Sequence, residues 1–196
     1  MSILLQQLNA GMAGLVQVAR RSLVQIENGH GQGAGTIWQP DGLILTNAHV
    51  AGRHGLRVTL PDGQAVPARV LAVDPDSDLA ALAVEAHDLP AIALGDSTLL
   101  RPGQWVIAIG HPWGVAGAVT GGVVIGHGAR LPEMPLAARE WVAVTAHLRP
   151  GHSGGPLLDV HGRLVGINTM MAGPEVGLAV PVHLIKRFLR RAAGVQ

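Results

Sequence analysis

Ser153 lies in Pro150-Gly151-His152-Ser153-Gly154-Gly155-Pro156, the stretch of this chain best suited to covalent chemistry. A serine set between glycines presents its hydroxyl with no neighbouring side chain in the way. The glycines also let backbone N–H groups converge on one point, as stabilising an oxyanion demands. Serine is scarce: there are five (Ser2, Ser22, Ser77, Ser97, Ser153), and only Ser153 has this setting. Taken alone, the stretch also reads as a Gly-rich turn between two strands. Two upstream segments shift the balance, Thr46-Asn47-Ala48-His49 and Asp76-Ser77-Asp78-Leu79-Ala80. A serine hydroxyl needs an adjacent base to attack near neutral pH. Histidine has the ordinary proton affinity for that role, and a buried carboxylate fixes its tautomer and stabilises the imidazolium. His49, Asp78 and Ser153 are therefore the candidate base, orienting carboxylate and nucleophile. The backbone N–H groups of Gly151 and Ser153, with that of His152 nearby, are the candidate oxyanion hole. Asp74 and Asp76 compete with Asp78. Asp78 stands directly before the apolar run Leu79–Val84 and is best placed to be buried beside a histidine, whereas Asp74 and Asp76 flank Pro75 and fit a turn.

The elements that must hold these residues read as strands. Leu23–Ile26 is short and apolar. Ala34–Trp38 and Gly42–Thr46 flank Pro40-Asp41-Gly42, and Leu56–Leu60 and Gln64–Val73 flank Pro61-Asp62-Gly63, two hairpin signals. With Leu79–Val84 these make one closed antiparallel barrel of about six strands. Leu94–Gly103 reads as a connection. Strands resume at Gln104–Ile109, Ala118–Gly126, Trp141–Ala146, Pro156–Asp159, Arg163–Asn168 and Val176–Val180, a second set of about six. The predicted class is all-β, two six-stranded antiparallel barrels, with His49 and Asp78 in the first, Ser153 in the second and the site in the crevice between them. Leu4, Leu8, Met12, Leu15 and Val16 share one helical face, so residues 1–21 form an N-terminal helical segment that packs on the body, mediates assembly or frays. The first barrel is expected at 22–95 and the second at 96–181. An amphipathic helix with a tail follows at 182–196, with Leu184, Ile185, Phe188 and Leu189 opposite Lys186, Arg187, Arg190 and Arg191.

Composition bounds the function classes. The chain has 196 residues, 48% hydrophobic and 14% charged, enough for a substantial core and unlike a disordered segment. A formal net charge of +1 with no long basic block before the C-terminus gives no nucleic-acid signature. Without cysteine there is no disulfide, thiolate metal site or cysteine nucleophile. The ten histidines are dispersed without a metal-binding spacing, so neither a metal nor a cofactor is expected. No apolar run is long enough for a membrane span. No export signal is evident either, which implies a cytoplasmic location if the chain is complete.

The order His49, Asp78, Ser153 is that of the chymotrypsin type. Over roughly residues 22 to 192 the chain resembles the HtrA/Deg family of trypsin-like serine proteases. The resemblance rests on Thr46-Asn47-Ala48-His49-Val50, Asp76-Ser77-Asp78-Leu79-Ala80 and Gly151-His152-Ser153-Gly154-Gly155-Pro156-Leu157. Gly166-Ile167-Asn168-Thr169, Gly177-Leu178-Ala179-Val180-Pro181 and Gly110-His111-Pro112-Trp113-Gly114 extend it. It implies a trypsin-like fold and an endopeptidase acting on unfolded or extended polypeptide in protein quality control. The alternative is a catalytically weak or inactive peptide-binding module. It further implies that Leu148 and Ile167-Asn168-Thr169 border the substrate pocket, and that an edge strand near Asn168 pairs with substrate backbone. Relatives often form trimers and work outside the cytoplasm, and a homotrimer is a possible assembly here. His152 replaces the family's usual asparagine, a second imidazole that alters local proton affinities or substrate access. The PDZ domain that usually follows the protease is expected to be absent.

Overall fold

The computed structural model describes residues 3–29, 31–52, 55–128 and 139–194; the last two residues of the expected tail lie outside this set. The first barrel closes in the order β1-β2-β3-β6-β5-β4, from β1 Leu23–Glu27, β2 Gln32–Ile37, β3 Leu43–Thr46, β4 Arg57–Thr59, β5 Ala65–Asp74 and β6 Leu79–Val84. The second closes in the order β10-β11-β12-β9-β8-β7, from β7 Trp105–Gly110, β8 Ala118–Gly128, β9 Trp141–Val144, β10 Pro156–Leu158, β11 Leu164–Met171 and β12 Gly177–Pro181. All pairings within the barrels are antiparallel. This is the trypsin-like fold that the sequence predicts.

The strand period of two explains why several strands are apolar on both faces. On β7, Val106 and Ala108 point into the second barrel, while Ile107 and Ile109 face the first. On β6, Ala80, Leu82 and Val84 fill the first barrel, while Leu79 and Ala81 face the second. Val142 and Val144 of β9 likewise point inward, and Trp141 and Ala143 join the layer between barrels. Three cores result, one in each barrel and one at the seam. The segments carrying His49, Asp78 and Ser153 meet along that seam.

Helix α1, Ile3–Arg20, packs on the body through its second half, where Met12, Leu15, Val16 and buried Ala19 meet the seam core. Arg20 anchors its end by donating from Nε to the Gly117 carbonyl at 2.8 Å. Ile3, Leu4, Leu5 and Leu8 remain exposed. Helix α3, Val182–Ala192, begins after Pro181 and buries Val182, Ile185 and Phe188 against the seam. A four-residue helix α2, Ala48–Ala51, carries His49 directly beyond β3.

Candidate active site

Thr46 of β3 pairs with Ala80 of β6, so the end of one strand lies beside the start of the other. His49, three residues past Thr46, thereby meets Asp78, two residues before Ala80. His49 Nδ1 lies 3.0 Å from Oδ1 and 2.9 Å from Oδ2 of Asp78, and the His49 backbone N–H donates to Oδ1 at 3.2 Å. The Thr169 hydroxyl donates to Oδ2 from the other barrel. Asn47, fully buried, donates from Nδ2 to the Asp78 carbonyl at 3.0 Å. The turn before Asp78 is held by Asp74, whose carboxylate accepts from the N–H of Asp76 and Ser77 and, at 2.6 Å, from the Ser77 hydroxyl. Burial alone would raise the Asp78 carboxyl. Hydrogen bonds from His49 and Thr169 and the charge on His49 outweigh it and hold the group below its ordinary 3.8. Asp78 therefore stays ionised. Its bonds fix Nδ1 as the protonated nitrogen of His49 and leave Nε2 to accept a proton. The imidazole is about half exposed, at 49%, and the Asp78 side chain 10%, so the His49 ring reaches solvent while its partner is largely shielded.

Ser153 is carried between the barrels. Its carbonyl accepts from the N–H of Ala34 on β2 at 2.8 Å, and the Thr36 hydroxyl donates to the Gly154 carbonyl at 3.2 Å. Gly154 has φ +84°, and a Cβ there would lie 2.0 Å from the Ala34 carbonyl oxygen, so only glycine lets β2 and the serine loop approach this closely. Asn168 clamps the loop from behind. Its N–H donates to the Gly155 carbonyl, its carbonyl accepts from the Gly154 N–H, each at 2.9 Å, and its side chain donates to the Pro156 carbonyl. The Ser153 hydroxyl donates its one proton to the Thr169 carbonyl at 2.8 Å and so does not aim it at His49.

Arg149-Pro150-Gly151-His152 forms a tight turn. The His152 N–H returns to the Arg149 carbonyl at 2.9 Å and Gly151 has φ +102°. Proline second and a positive-φ glycine third are the signature of a type II turn. The Gly151 carbonyl is held by the His111 N–H at 2.8 Å, and the Arg149 guanidinium stacks 4.7 Å over the Trp113 ring. The N–H groups of Gly151 and Ser153 meet no acceptor among the described residues. That of His152 closes the turn and is not available to an oxyanion, a correction to the expectation that it stands with the other two.

The expected pocket residues separate. Leu148 is buried, its N–H donates to Met171 Sδ at 3.2 Å, and a Cβ on Gly177 would lie 3.0 Å from Leu148 Cγ. Leu148, Met171 and Gly177 thus converge. Ile167, by contrast, is wholly buried in the seam core, opposite Pro156 and Val180. Asn168 has both backbone groups engaged by the serine loop, so no substrate strand pairs there. Thr169 turns its hydroxyl to Asp78. A register shift of β11 between Asn168 and Met170 is the cause: the bulge re-aims Thr169 and leaves Met170 and Met171 beyond the serine loop. Asn47 and Met171 were not singled out from sequence. Asn47 stands inside the histidine motif, whereas nothing local marks Met171.

Among the described residues, no group of His, Asp or Glu side chains could hold a metal, and no helix is long and apolar enough to cross a membrane. Residues 33–167 match the family model described as a trypsin-like peptidase domain. The chain is 38% identical over 166 residues to the mitochondrial serine protease HTRA2 of Drosophila willistoni, covering 82% of this chain and 38% of that protein. It is 38% identical over 165 residues to a probable periplasmic serine endoprotease DegP-like of Chlamydia pneumoniae, covering 81% of this chain and 33% of the other. A solved HtrA-type protease, AlgW with a tripeptide, superposes with a TM-score of 0.83 at 33% identity, over 91% of this chain and 62% of that one. The chain thus spans between a third and two fifths of the length of these curated relatives. With its two barrels and the matched span running from β2 into β11, the chain belongs to the trypsin-like peptidase family.

Proposed function

We propose that this chain is a serine endopeptidase that cleaves unfolded or extended polypeptide through an acyl-enzyme on Ser153. The observation that carries the reading is that Thr169 bonds both Asp78 of the His49–Asp78 pair and the Ser153 hydroxyl, beside a turn that leaves the N–H groups of Gly151 and Ser153 without an acceptor among the described residues. Ser153 rotates its hydroxyl from the Thr169 carbonyl toward His49. Nε2 takes the proton as Oγ attacks the scissile carbonyl carbon, and the oxyanion is held by the N–H groups of Gly151 and Ser153. The C–N bond breaks as His49 returns the proton to the leaving amine. Water then attacks the ester with His49 again as base, releasing the acid and restoring Ser153. An extended substrate pairs with the edge at Met170 and Met171. A small or medium aliphatic side chain enters beside Leu148, Met171 and Gly177.

Purified protein is expected to hydrolyse casein, and Ser153→Ala to abolish this. Equal cleavage by both would refute the assignment. A second reading, a peptide-holding module with little turnover, is favoured by one observation, the commitment of the Ser153 proton to Thr169. A quality-control role follows the HtrA-type relatives. The exposed Ile3, Leu4, Leu5 and Leu8 of α1 support homo-oligomeric assembly, a trimer being the form to test by sedimentation velocity. We read the chain as a first unit at 22–95 with the base and carboxylate and a second at 96–181 with the nucleophile.

A further inference from the structure

His152 is 3% exposed, yet its side chain is spoken for on one edge only. Nδ1 accepts the N–H of Arg149 at 3.1 Å, and the same residue's backbone N–H donates to the Arg149 carbonyl at 2.9 Å. Residue 152 therefore grips both backbone groups of residue 149, the first position of the turn that presents the Gly151 N–H. A backbone N–H can only donate, so Nδ1 is the unprotonated nitrogen and the proton sits on Nε2. Nε2 is buried and has no partner among the described residues. Behind the turn there is no slack: a Cβ on Gly110 would lie 2.5 Å from both His152 Cα and the Gly151 carbonyl oxygen.

We propose that His152 is a positioning residue whose neutral imidazole locks the turn at Arg149–His152, and that its protonation unlocks that turn and withdraws the Gly151 N–H from the oxyanion. The inference rests on the peptidase reading above. Protonated Nδ1 would point a hydrogen at the hydrogen of the Arg149 N–H. The ring would have to turn toward the Arg149 carbonyl, 3.3 Å from Nδ1, and share that oxygen with the His152 backbone N–H, while the Arg149 N–H loses its acceptor. The charged and titratable groups facing the ring are Arg149 and His147 from its own segment and His111 from beyond β7. Burial is the largest influence; with the repulsion from the Arg149 charge and the neighbouring imidazoles it outweighs the hydrogen bond to the Arg149 carbonyl and holds the imidazole below its ordinary 6.5. The lock is therefore closed at neutral pH and opens on acidification.

The test compares wild type, His152→Asn and His152→Leu in the full chain. kcat and KM are measured from pH 5 to 8.5 on an unfolded-peptide substrate. Asparagine offers Arg149 an amide oxygen that does not titrate. It is expected to keep kcat within about threefold of wild type at pH 8 and to lose one ionisation from the acid limb. Leucine offers no acceptor and is expected to lower kcat about tenfold with KM little changed, short of the 10²–10³ for removing an oxyanion donor outright. Wild-type kcat in the leucine variant, or an unchanged acid limb in the asparagine variant, overturns the proposal. A second readout does not need turnover. In ¹⁵N NMR, His152 should be protonated on Nε2, and the Gly151 amide resonance should move with its titration in wild type but not in His152→Asn. A Gly151 resonance indifferent to that titration also overturns the lock. Loss of casein cleavage with this coupling intact would instead count against the peptidase reading alone.

Discussion

Asp78 has φ +53°, a left-handed backbone that costs a non-glycine residue of order 1 kcal/mol or more. The surrounding bonds hold it there: Asn47 on its carbonyl, and His49 and Thr169 on its carboxylate. Thr169 is the most informative of these, since its hydroxyl reaches Asp78 from the opposite barrel. Thr169→Val keeps the shape and deletes the donor. A hydrogen bond to a charged group contributes about 1.5–3 kcal/mol, so kcat/KM for an unfolded substrate should fall about tenfold or more while the melting transition stays cooperative. Stability should also carry a pH signature. Burial disfavours the charged forms of His111 and His152, so each is held below 6.5 when folded and binds its proton more readily when unfolded. Their contribution is complete above about 6.5 and falls as the pH drops beneath it. Asp78 is held below 3.8, so its contribution is present above that value and lost as the pH falls through it. Urea midpoints should therefore decline in two stages on acidification, and His152→Asn should diminish the first.

Among elements, the loop Gly151–Gly155 and the bulged strand β11 shape the candidate site. Gly154→Ala would force a Cβ against the Ala34 carbonyl at a φ of +84°. A loss of at least about 2 kcal/mol, read from urea unfolding, is the expected outcome. A substitution at this position tolerated without cost would contradict the close docking of β2 on the serine loop. Most strands were legible from sequence, because apolar runs of period two end at turn residues such as Pro40-Asp41-Gly42 and Pro61-Asp62-Gly63. The pairing of His49 with Asp78 was legible in the spacing of their motifs about the ends of β3 and β6. The roles of Ile167, Asn168 and Thr169 were not. A bulge changes which face a residue serves, and no local pattern in Gly166-Ile167-Asn168-Thr169 announces it. His152 was legible as a departure and not as a clamp, since its partner Arg149 is defined by the turn and not by spacing.

At the scale of the molecule, the seam core makes the two barrels one cooperative body. Ile107 is 1% exposed between them, and Ile107→Ala should cost about 2–5 kcal/mol with both barrels unfolding together. Separate transitions would show that the seam does not couple them. This coupling matters because His49 and Asp78 come from one barrel and Ser153 from the other, so the proposed chemistry requires the seam to hold. The most direct test is covalent labelling of the intact chain by a serine-directed fluorophosphonate, followed by peptide mass analysis. One adduct on Ser153 in wild type, with labelling slowed at least about a hundredfold in His49→Ala, is the expected result. Equal labelling rates in the two proteins, or no adduct on Ser153, would contradict a nucleophile activated across the seam.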